Sequence, residues 1–353
     1  MRGIMAGDNI LFRCDASAAI GSGHVMRCLA LGKAWQRAGG RVCYLTAETI
    51  AALDGRLAHE GFQHERLAVE PGSAEDAEQT VEWAGRLGVK WIVVDGYRFV
   101  PDFIRRLKSL GVRVLMLDDD ARFDSYDADV LLNQNIDATA EPYKIAASSR
   151  LLLGADYVLL RPEFLVERPG REIAGVARNL LITLGGSDSE DVTSTVVRVL
   201  AQLGNEFEAT VVVGGGSPHY ETLRTLVEAL RAKIPEGKIR LERSPANMAL
   251  LMREADIAIA AAGGTCWELA FLGVPMILIT LSHDQEANAT AISRTGAALS
   301  LGWHANLSER EIGDAIRAVM NDADGRRAMS ERGQKLVDGR GAERVVEFLQ
   351  SCL

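Results

Sequence analysis

Between residues 9 and 135, short apolar runs alternate with segments whose apolar positions recur at helical spacing. That alternation is the mark of stacked βαβ units around a parallel sheet. Strands are expected at 10–13, 41–45, 91–94, 112–117 and 130–132, with helical patterns in most of the gaps, as over 74–87 and 100–110. Polar residues or glycine follow four of these strands: Asp15, Asp95-Gly96-Tyr97, Asp118-Asp119-Asp120 and Asn133-Gln134-Asn135. In an open parallel sheet ligands lie beyond the carboxyl ends of the strands, so the four clusters should share one edge.

The texture changes at 161–175, where Pro162, Pro169 and Gly170 stand among charges, and this stretch reads as a linker. Beyond it the alternation restarts, with strands expected at 179–183, 209–213, 238–241, 257–261 and 276–279. Helices are expected at 192–203, 220–233, 247–254, 266–272 and 285–294. Residues 308–353 read as two or three amphipathic helices, the last of them placed to cross back onto the first domain. A chain of 353 residues suits two domains of roughly 150 residues each. The expected division is 1–160, a linker at 161–177, and 178–353, giving two Rossmann-like α/β domains whose parallel sheets face a central cleft.

Composition narrows the function. Hydrophobic residues make up 48% and charged ones 25%, as in an ordinary globular enzyme. The net charge of -9 is spread without a basic run, which argues against nucleic acid and acidic membrane surfaces as partners. Five cysteines, odd in number and without a CxxC pair, indicate neither a disulfide framework nor a zinc site, and suit a reducing compartment. Residues 1–9 lack an apolar core and a cleavage pattern, and no apolar stretch reaches about 18 residues. The expectation is a soluble cytoplasmic protein with no membrane insertion; the sequence carries no cue to oligomeric state.

Where the first strand gives way to the first helix stands Gly21-Ser22-Gly23-His24. Gly21 and Gly23 allow backbone N–H groups to approach a ligand, and the first turn of the helix favours negative charge. The same dipole disfavours an imidazolium, so a neutral His24 able to accept a proton is expected there. On these residues alone, His24 reads either as such a base or as a helix cap or phosphate contact.

The second domain repeats a glycine turn after three strands: Leu184-Gly185-Gly186-Ser187-Asp188, Gly214-Gly215-Gly216-Ser217 and Ala262-Gly263-Gly264-Thr265. Backbone donors in such turns suit a diphosphate, although glycine is also common there for purely structural reasons. None ends in the Gly-Lys-Ser/Thr of a triphosphate-hydrolysing loop. Ser187 or Asp188 suits the N-cap of the helix that follows. Glu268, one helical turn after Gly264, is placed to accept from ribose hydroxyls or simply to lie exposed. Asp284 and Gln285 open another helix, where Asp284 either caps or, with Gln285, faces a sugar. No cofactor and no metal is implied; Asp118-Asp119-Asp120 is the run a divalent ion would use.

The segments Arg13-Cys14-Asp15-Ala16-Ser17, Ile20-Gly21-Ser22-Gly23-His24-Val25-Met26-Arg27, Asp95-Gly96-Tyr97, Leu117-Asp118-Asp119 and Leu132-Asn133-Gln134-Asn135 carry a resemblance. It continues through Gly154-Ala155-Asp156-Tyr157, Arg161-Pro162-Glu163-Phe164, Leu184-Gly185-Gly186-Ser187-Asp188, Gly264-Thr265-Cys266-Trp267-Glu268 and Asp284-Gln285. In this order the chain resembles the nucleotide-sugar hydrolases of pseudaminic acid biosynthesis, which cleave UDP-2,4-diacetamido-2,4,6-trideoxy-β-L-altropyranose. It is similar also to spore-coat polysaccharide proteins and, more distantly, to the UDP-GlcNAc transferase that makes lipid II. The resemblance implies a GT-B fold with the nucleotide held mainly by the second domain. It implies His24 as the catalytic residue, Gly185, Gly186, Ser187, Gly264 and Thr265 at the diphosphate, Glu268 at the ribose and the backbone near Met248 at the uracil. Arg13, Asp15, Gly21, Gly23, Arg27, Tyr97, Asp119, Asp284 and Gln285 are the candidate sugar contacts, some of them orienting His24. The chain departs from the family in having Gly96 and Asp284, where histidine and asparagine are frequent.

The expected chemistry is attack of water on C1 of a UDP-sugar, with neutral His24 as base, inversion at C1 and UDP as leaving group. A glycosyltransferase would use the same fold and histidine with an acceptor hydroxyl in place of water. A UDP-sugar epimerase and a non-catalytic binding protein are the remaining readings.

Overall fold

The computed structural model describes residues 8–17, 20–109, 111–165, 170–185, 188–204, 207–215, 217–230, 238–245 and 247–353. The chain divides into two compact units, residues up to Pro162 together with Gly339–Leu353, and Glu163–Asp338.

The first unit begins β1 (Asn9–Cys14), α1 (Gly23–Arg37), β2 (Arg41–Thr46), α2 (Ala51–His59), β3 (Gln63–Arg66), α3 (Ala74–Leu87) and β4 (Trp91–Asp95). It continues with α4 (Pro101–Lys108), β5 (Arg113–Leu117), β6 (Val130–Asn133) and β7 (Arg150–Leu153). Among the described residues these strands form one parallel sheet in the order β3-β2-β1-β4-β5-β6-β7. The chain reverses direction across the sheet between β1 and β4, and that switch point is where open α/β sheets bind ligands. The central strands are buried on both faces, which is why β1 and β4 read as continuous apolar runs.

After a short helix, α5 (Pro162–Leu165), come β8 (Asn179–Thr183), α6 (Val192–Leu200), β9 (Glu208–Val213), α7 (Tyr220–Leu230), β10 (Ile239–Arg243) and α8 (Met248–Glu254). Then follow β11 (Ile257–Ala261), α9 (Thr265–Leu272), β12 (Met276–Thr280), α10 (Glu286–Thr295), β13 (Ala298–Trp303), α11 (Glu309–Asn321), α12 (Ala323–Leu336) and α13 (Gly341–Ser351). The second sheet is parallel in the order β10-β9-β8-β11-β12-β13. Of the expected helix at 220–233, the last three residues lie outside the described part.

Helix α13 belongs to the first unit. Val345, Val346 and Leu349 join the core around Trp35 and Trp91, and the Trp91 indole donates to the Leu349 carbonyl at 3.2 Å. Gly341 permits this docking, because a Cβ there would stand 2.2 Å from the Val158 carbonyl oxygen.

Three strands escaped the pattern reading, and all three are sheet edges: β3, β7 and β13. An edge strand buries less of itself, so its sequence is under weaker apolar constraint, which explains β3, Gln-His-Glu-Arg, but not the apolar β7 and β13. Two expected caps also move. Helix α6 starts after Asp191, at φ 53, and α10 starts after Gln285, while Asp284 lies in a preceding 3₁₀ turn.

Candidate active site

His24 is the second residue of α1, after a turn in which Gly21 adopts φ 72 and donates its N–H to the Ser17 carbonyl at 2.9 Å. Among the described residues no side chain caps α1, so none of them takes its first-turn donors with a carboxylate or hydroxyl. Gly23 is exposed, and a Cβ there would meet nothing within 4 Å. Its value lies in open backbone rather than in a forced conformation.

The imidazole is 7% exposed, and its Nδ1 lies 2.8 Å from Oδ1 of Asp95, the last residue of β4. Because β4 pairs with β1 in register, Cys14 opposite Asp95, the strand end places this carboxylate under the first turn of α1. Arg27, three residues after His24 and so on the same helical face, grips the carboxylate at both oxygens. Its Nε donates to Oδ2 at 2.6 Å and its Nη2 to Oδ1 at 2.7 Å, while Nη1 donates to Asp119 Oδ2 at 2.6 Å. The Cys28 thiol donates to the same Oδ2 at 3.7 Å.

Burial pushes the fully buried Asp95 carboxyl up, but the charges and hydrogen bonds of Arg27 and His24 outweigh it and hold the group well below the usual carboxylate range. Burial likewise opposes the charge of Arg27, yet Asp119 and Asp95 raise it well above its ordinary value. Asp95 is thus an ionised acceptor, and an ionised carboxylate can only accept. In neutral His24 the proton therefore sits on Nδ1, and Nε2 carries the lone pair.

Tyr97 stands edge-on to His24, ring centroids 4.7 Å apart, and is 42% exposed. Between them in sequence Gly96 holds φ 152, and a Cβ there would lie 2.9 Å from Phe99 Cε2. A residue with a side chain at this position would have to displace the Phe99 ring or leave this backbone conformation.

The structure gives Arg13 and Asp15 other employment. Arg13 has no exposed surface; its Nε and Nη2 donate to the two oxygens of Asp76 at 2.8 Å each, and Nη1 pairs with Asp15 at 2.8 Å. Asp15 also accepts from the N–H groups of Ala47 and Glu48 at 2.7 and 3.0 Å. The pair fastens the β1 end to the loops after β2 and before α3, and every donor group of Arg13 that the contacts describe is spent within the fold. Among the other strand ends, Asp118 accepts from the Tyr126 hydroxyl at 2.5 Å, Asn133 donates to the Tyr143 hydroxyl at 2.9 Å, and Gln134 accepts from the Leu159 N–H at 3.0 Å. These knit the edge together. Among the described residues no cluster of three or more histidines, cysteines, aspartates or glutamates is arranged to hold a metal ion.

In the second unit Gly185 holds φ 93, while Gly186 and Ser187 lie outside the described residues. Asp188 accepts from the N–H groups of Val192 and Thr193 at 3.0 and 2.8 Å, so the chain's own carboxylate already occupies the start of α6. The start of α9 differs: Gly264 is its N-cap, Thr265 its first residue, and no side chain caps it. Asn288 steadies this turn by donating to the Ala262 carbonyl at 2.7 Å. Glu268 is 9% exposed in the first turn of α9. Gln285 accepts from the Leu281 N–H at 3.1 Å, and a Cβ added at Gly263 would stand 3.9 Å from its Nε2. Met248 opens α8, whose N-cap Asn247 accepts from the Leu250 N–H at 3.0 Å. Burial pushes the Cys266 thiol up to about 12, so it is no nucleophile.

Comparison with known proteins agrees with this architecture. Residues 179–344 match the glycosyltransferase family 28 C-terminal domain. The chain is 31% identical over 208 residues to the spore coat polysaccharide biosynthesis protein SpsG of Bacillus subtilis, covering 58% of this chain and only 60% of that protein's length. It is 25% identical over 290 residues to the UDP-2,4-diacetamido-2,4,6-trideoxy-beta-L-altropyranose hydrolase of Campylobacter jejuni, covering 81% of this chain and 97% of that one. The crystal structure of Acinetobacter baumannii MurG matches with a TM-score of 0.67 at 18% identity, over 98% of this chain and 99% of that one. The fold is that of the GT-B glycosyltransferases, two Rossmann-like units of parallel sheet, with residues 179–344 similar to the family 28 C-terminal domain.

Proposed function

We propose that the protein hydrolyses a UDP-linked diacetamido-trideoxy sugar to free sugar and UDP, in the manner of a nonulosonate pathway of the pseudaminic acid type. The observation that carries this reading is the pairing of His24 Nδ1 with an Asp95 carboxylate that Arg27 keeps ionised. Such a pair leaves Nε2 able to take a proton and stabilises the imidazolium that results.

In the proposed step the oxygen of a water molecule bonds to C1 of the sugar as the C1–O bond to the β-phosphate breaks. The bonding electrons leave with UDP, the water proton passes to His24 Nε2, and attack from the far face inverts C1. UDP is a good leaving group, so donors at the uncapped start of α1 and around C1 stabilise charge without a dedicated acid. The uncapped start of α9, with Gly264 and Thr265, takes the diphosphate, Glu268 the ribose and the backbone at Met248 the uracil. Gly185 with its neighbours Gly186 and Ser187 is assigned to the same diphosphate, while Asp284 and Gln285 are assigned to the sugar. The hydrolase reading draws on the Campylobacter relative, whose match extends along nearly all of that enzyme.

A second reading is transfer of the sugar to an acceptor hydroxyl, favoured by the family 28 match and by the likeness to MurG. Incubation with a panel of UDP-sugars, with and without acceptors and followed by proton NMR, separates the two. Free inverted sugar with UDP, formed without acceptor, supports hydrolysis; product formed only with acceptor supports transfer; no UDP release from any donor removes both.

A further inference from the structure

Next to His24 the first unit holds an arginine that the mechanism leaves unused. The Arg122 guanidinium lies over two rings, 5.4 Å from the Tyr97 centroid and 4.9 Å from that of Phe123, and its Nη2 donates to the Tyr97 carbonyl at 2.7 Å. Ala121 just before it holds φ 50, a conformation that a residue with a Cβ keeps only where its surroundings impose it. Arg122 is exposed, and among the described residues it forms no ion pair. Of the carboxylates nearest in sequence, Asp119 pairs with Arg27, while Asp118 accepts from the Tyr126 hydroxyl and feels the charge of Arg122 without pairing to it.

A planar cation pinned at one nitrogen and laid across aromatic faces has lost its rotamer freedom before any ligand arrives, and its remaining donors are fixed in direction. It stands one ring away from the base, because Tyr97 contacts both His24 and Arg122. Charge decides what it receives. Asp95, Asp118, Asp119 and Asp120 at this edge outnumber Arg27 and Arg122, so an anionic substituent meets net repulsion, whereas a neutral carbonyl oxygen does not.

We propose that Arg122 donates to the amide carbonyl of an acylamino substituent on the sugar bound beside His24, and so selects acylated amino sugars over their hydroxyl counterparts. This inference rests on the UDP-sugar reading given above.

The test compares wild type, Arg122→Ala and Arg122→Lys on UDP-2,4-diacetamido-2,4,6-trideoxy-β-L-altropyranose and on its analogue with hydroxyls in place of the acetamido groups. The expected result is a wild-type preference in kcat/KM for the acetamido donor that falls about tenfold or more in Arg122→Ala. Arg122→Lys, keeping the charge but losing the planar fork, should fall between them. Thermal melting of each variant shows whether the fold is retained, and the ratio between donors is insensitive to a uniform loss of active protein. Wild-type turnover with an unchanged ratio in Arg122→Ala overturns the role of Arg122 and leaves the hydrolase reading standing. Tighter wild-type binding of UDP-glucuronate than of UDP-glucose, reduced to parity in Arg122→Ala, overturns the amide in favour of a carboxylate. Failure of wild type to turn over either donor overturns the proposed hydrolysis of this diacetamido sugar and this inference with it.

Discussion

His24 Nδ1 and Asp95 Oδ1 lie 2.8 Å apart, and Arg27 holds the same carboxylate through two further hydrogen bonds from the next turn of α1. One carboxylate therefore fixes both the tautomer of the histidine and the direction in which Nε2 faces. The pair should behave as a single catalytic unit.

His24→Asn should lower kcat by about 10²- to 10⁴-fold with UDP affinity near that of wild type. Asp95→Asn, acting only through His24, should lose activity in the same range without a matching rise in KM. The double variant should be little worse than His24→Asn alone, because residues that act as one unit are strongly non-additive. Steady-state kinetics with calorimetric UDP titration checks this; full additivity of the two losses would separate Asp95 from the base.

Asp76→Ala leaves the buried Arg13 guanidinium without the carboxylate that holds it bidentately. Removing one partner of a buried pair costs about 3–5 kcal/mol. Urea unfolding should show a loss of that size. Because Arg13 is sealed behind the strand ends, kcat of the residual folded enzyme should stay within a few-fold of wild type. A selective collapse of kcat with stability intact would return Arg13 to the ligand.

Much of this was legible in the chain, and the boundary of legibility is physical. Central strands such as β1 and β4 are buried on both faces, so burial forces an apolar run that can be read directly. The edge strand β3, Gln-His-Glu-Arg, bears no such constraint and carries no apolar run, whereas the edges β7 and β13 are apolar. Glycines ahead of His24 marked the turn, because they are what lets a backbone face a ligand. The partner of that histidine was read only as one of several polar strand ends. That Asp95 meets His24, 71 positions earlier, follows from β1 and β4 lying side by side, a tertiary fact with no local signature. The same holds for Asp76 beneath Arg13, and for Arg122, whose stretch of sequence follows no period.

Leu349 on α13 is fully buried in the core of the first unit although it stands near the end of the chain. Leu349→Ala should cost about 2–5 kcal/mol by lost burial and a cavity. Denaturant unfolding checks the value, and a change below about 0.5 kcal/mol, the level of an ordinary surface substitution, would show that α13 is not needed by that core.

Glu268 stands in the first turn of α9, next to the uncapped Gly264-Thr265 start. If it accepts ribose hydroxyls, Glu268→Ala should weaken UDP binding by about tenfold, the worth of one or two hydrogen bonds to a charged group. The loss should be much smaller for a uridine analogue lacking both ribose hydroxyls. Calorimetric titration of the two ligands against both proteins gives the answer, and an equal loss on both would remove the ribose contact.

Asp95 also sets an expectation for acid. Burial raises its carboxyl and the Arg27 and His24 partners lower it further, so in the folded protein it lies well below the ordinary value. In the unfolded chain an aspartate titrates near 3.9. Between the two values the unfolded chain binds the extra proton, and stability rises with pH. The contribution of Asp95 is therefore fully present above about pH 4 and is lost as pH falls through the folded value. Asp95→Asn removes the titrating group and leaves Arg27 less well matched at neutral pH, so wild type should be the more stable there. The gap between the two proteins should then narrow steadily as pH is lowered from about 5 towards about 2.5. Chemical unfolding at a series of pH values measures it; a gap that stays constant across that window would mean that the carboxylate does not carry the charge on which the site is built.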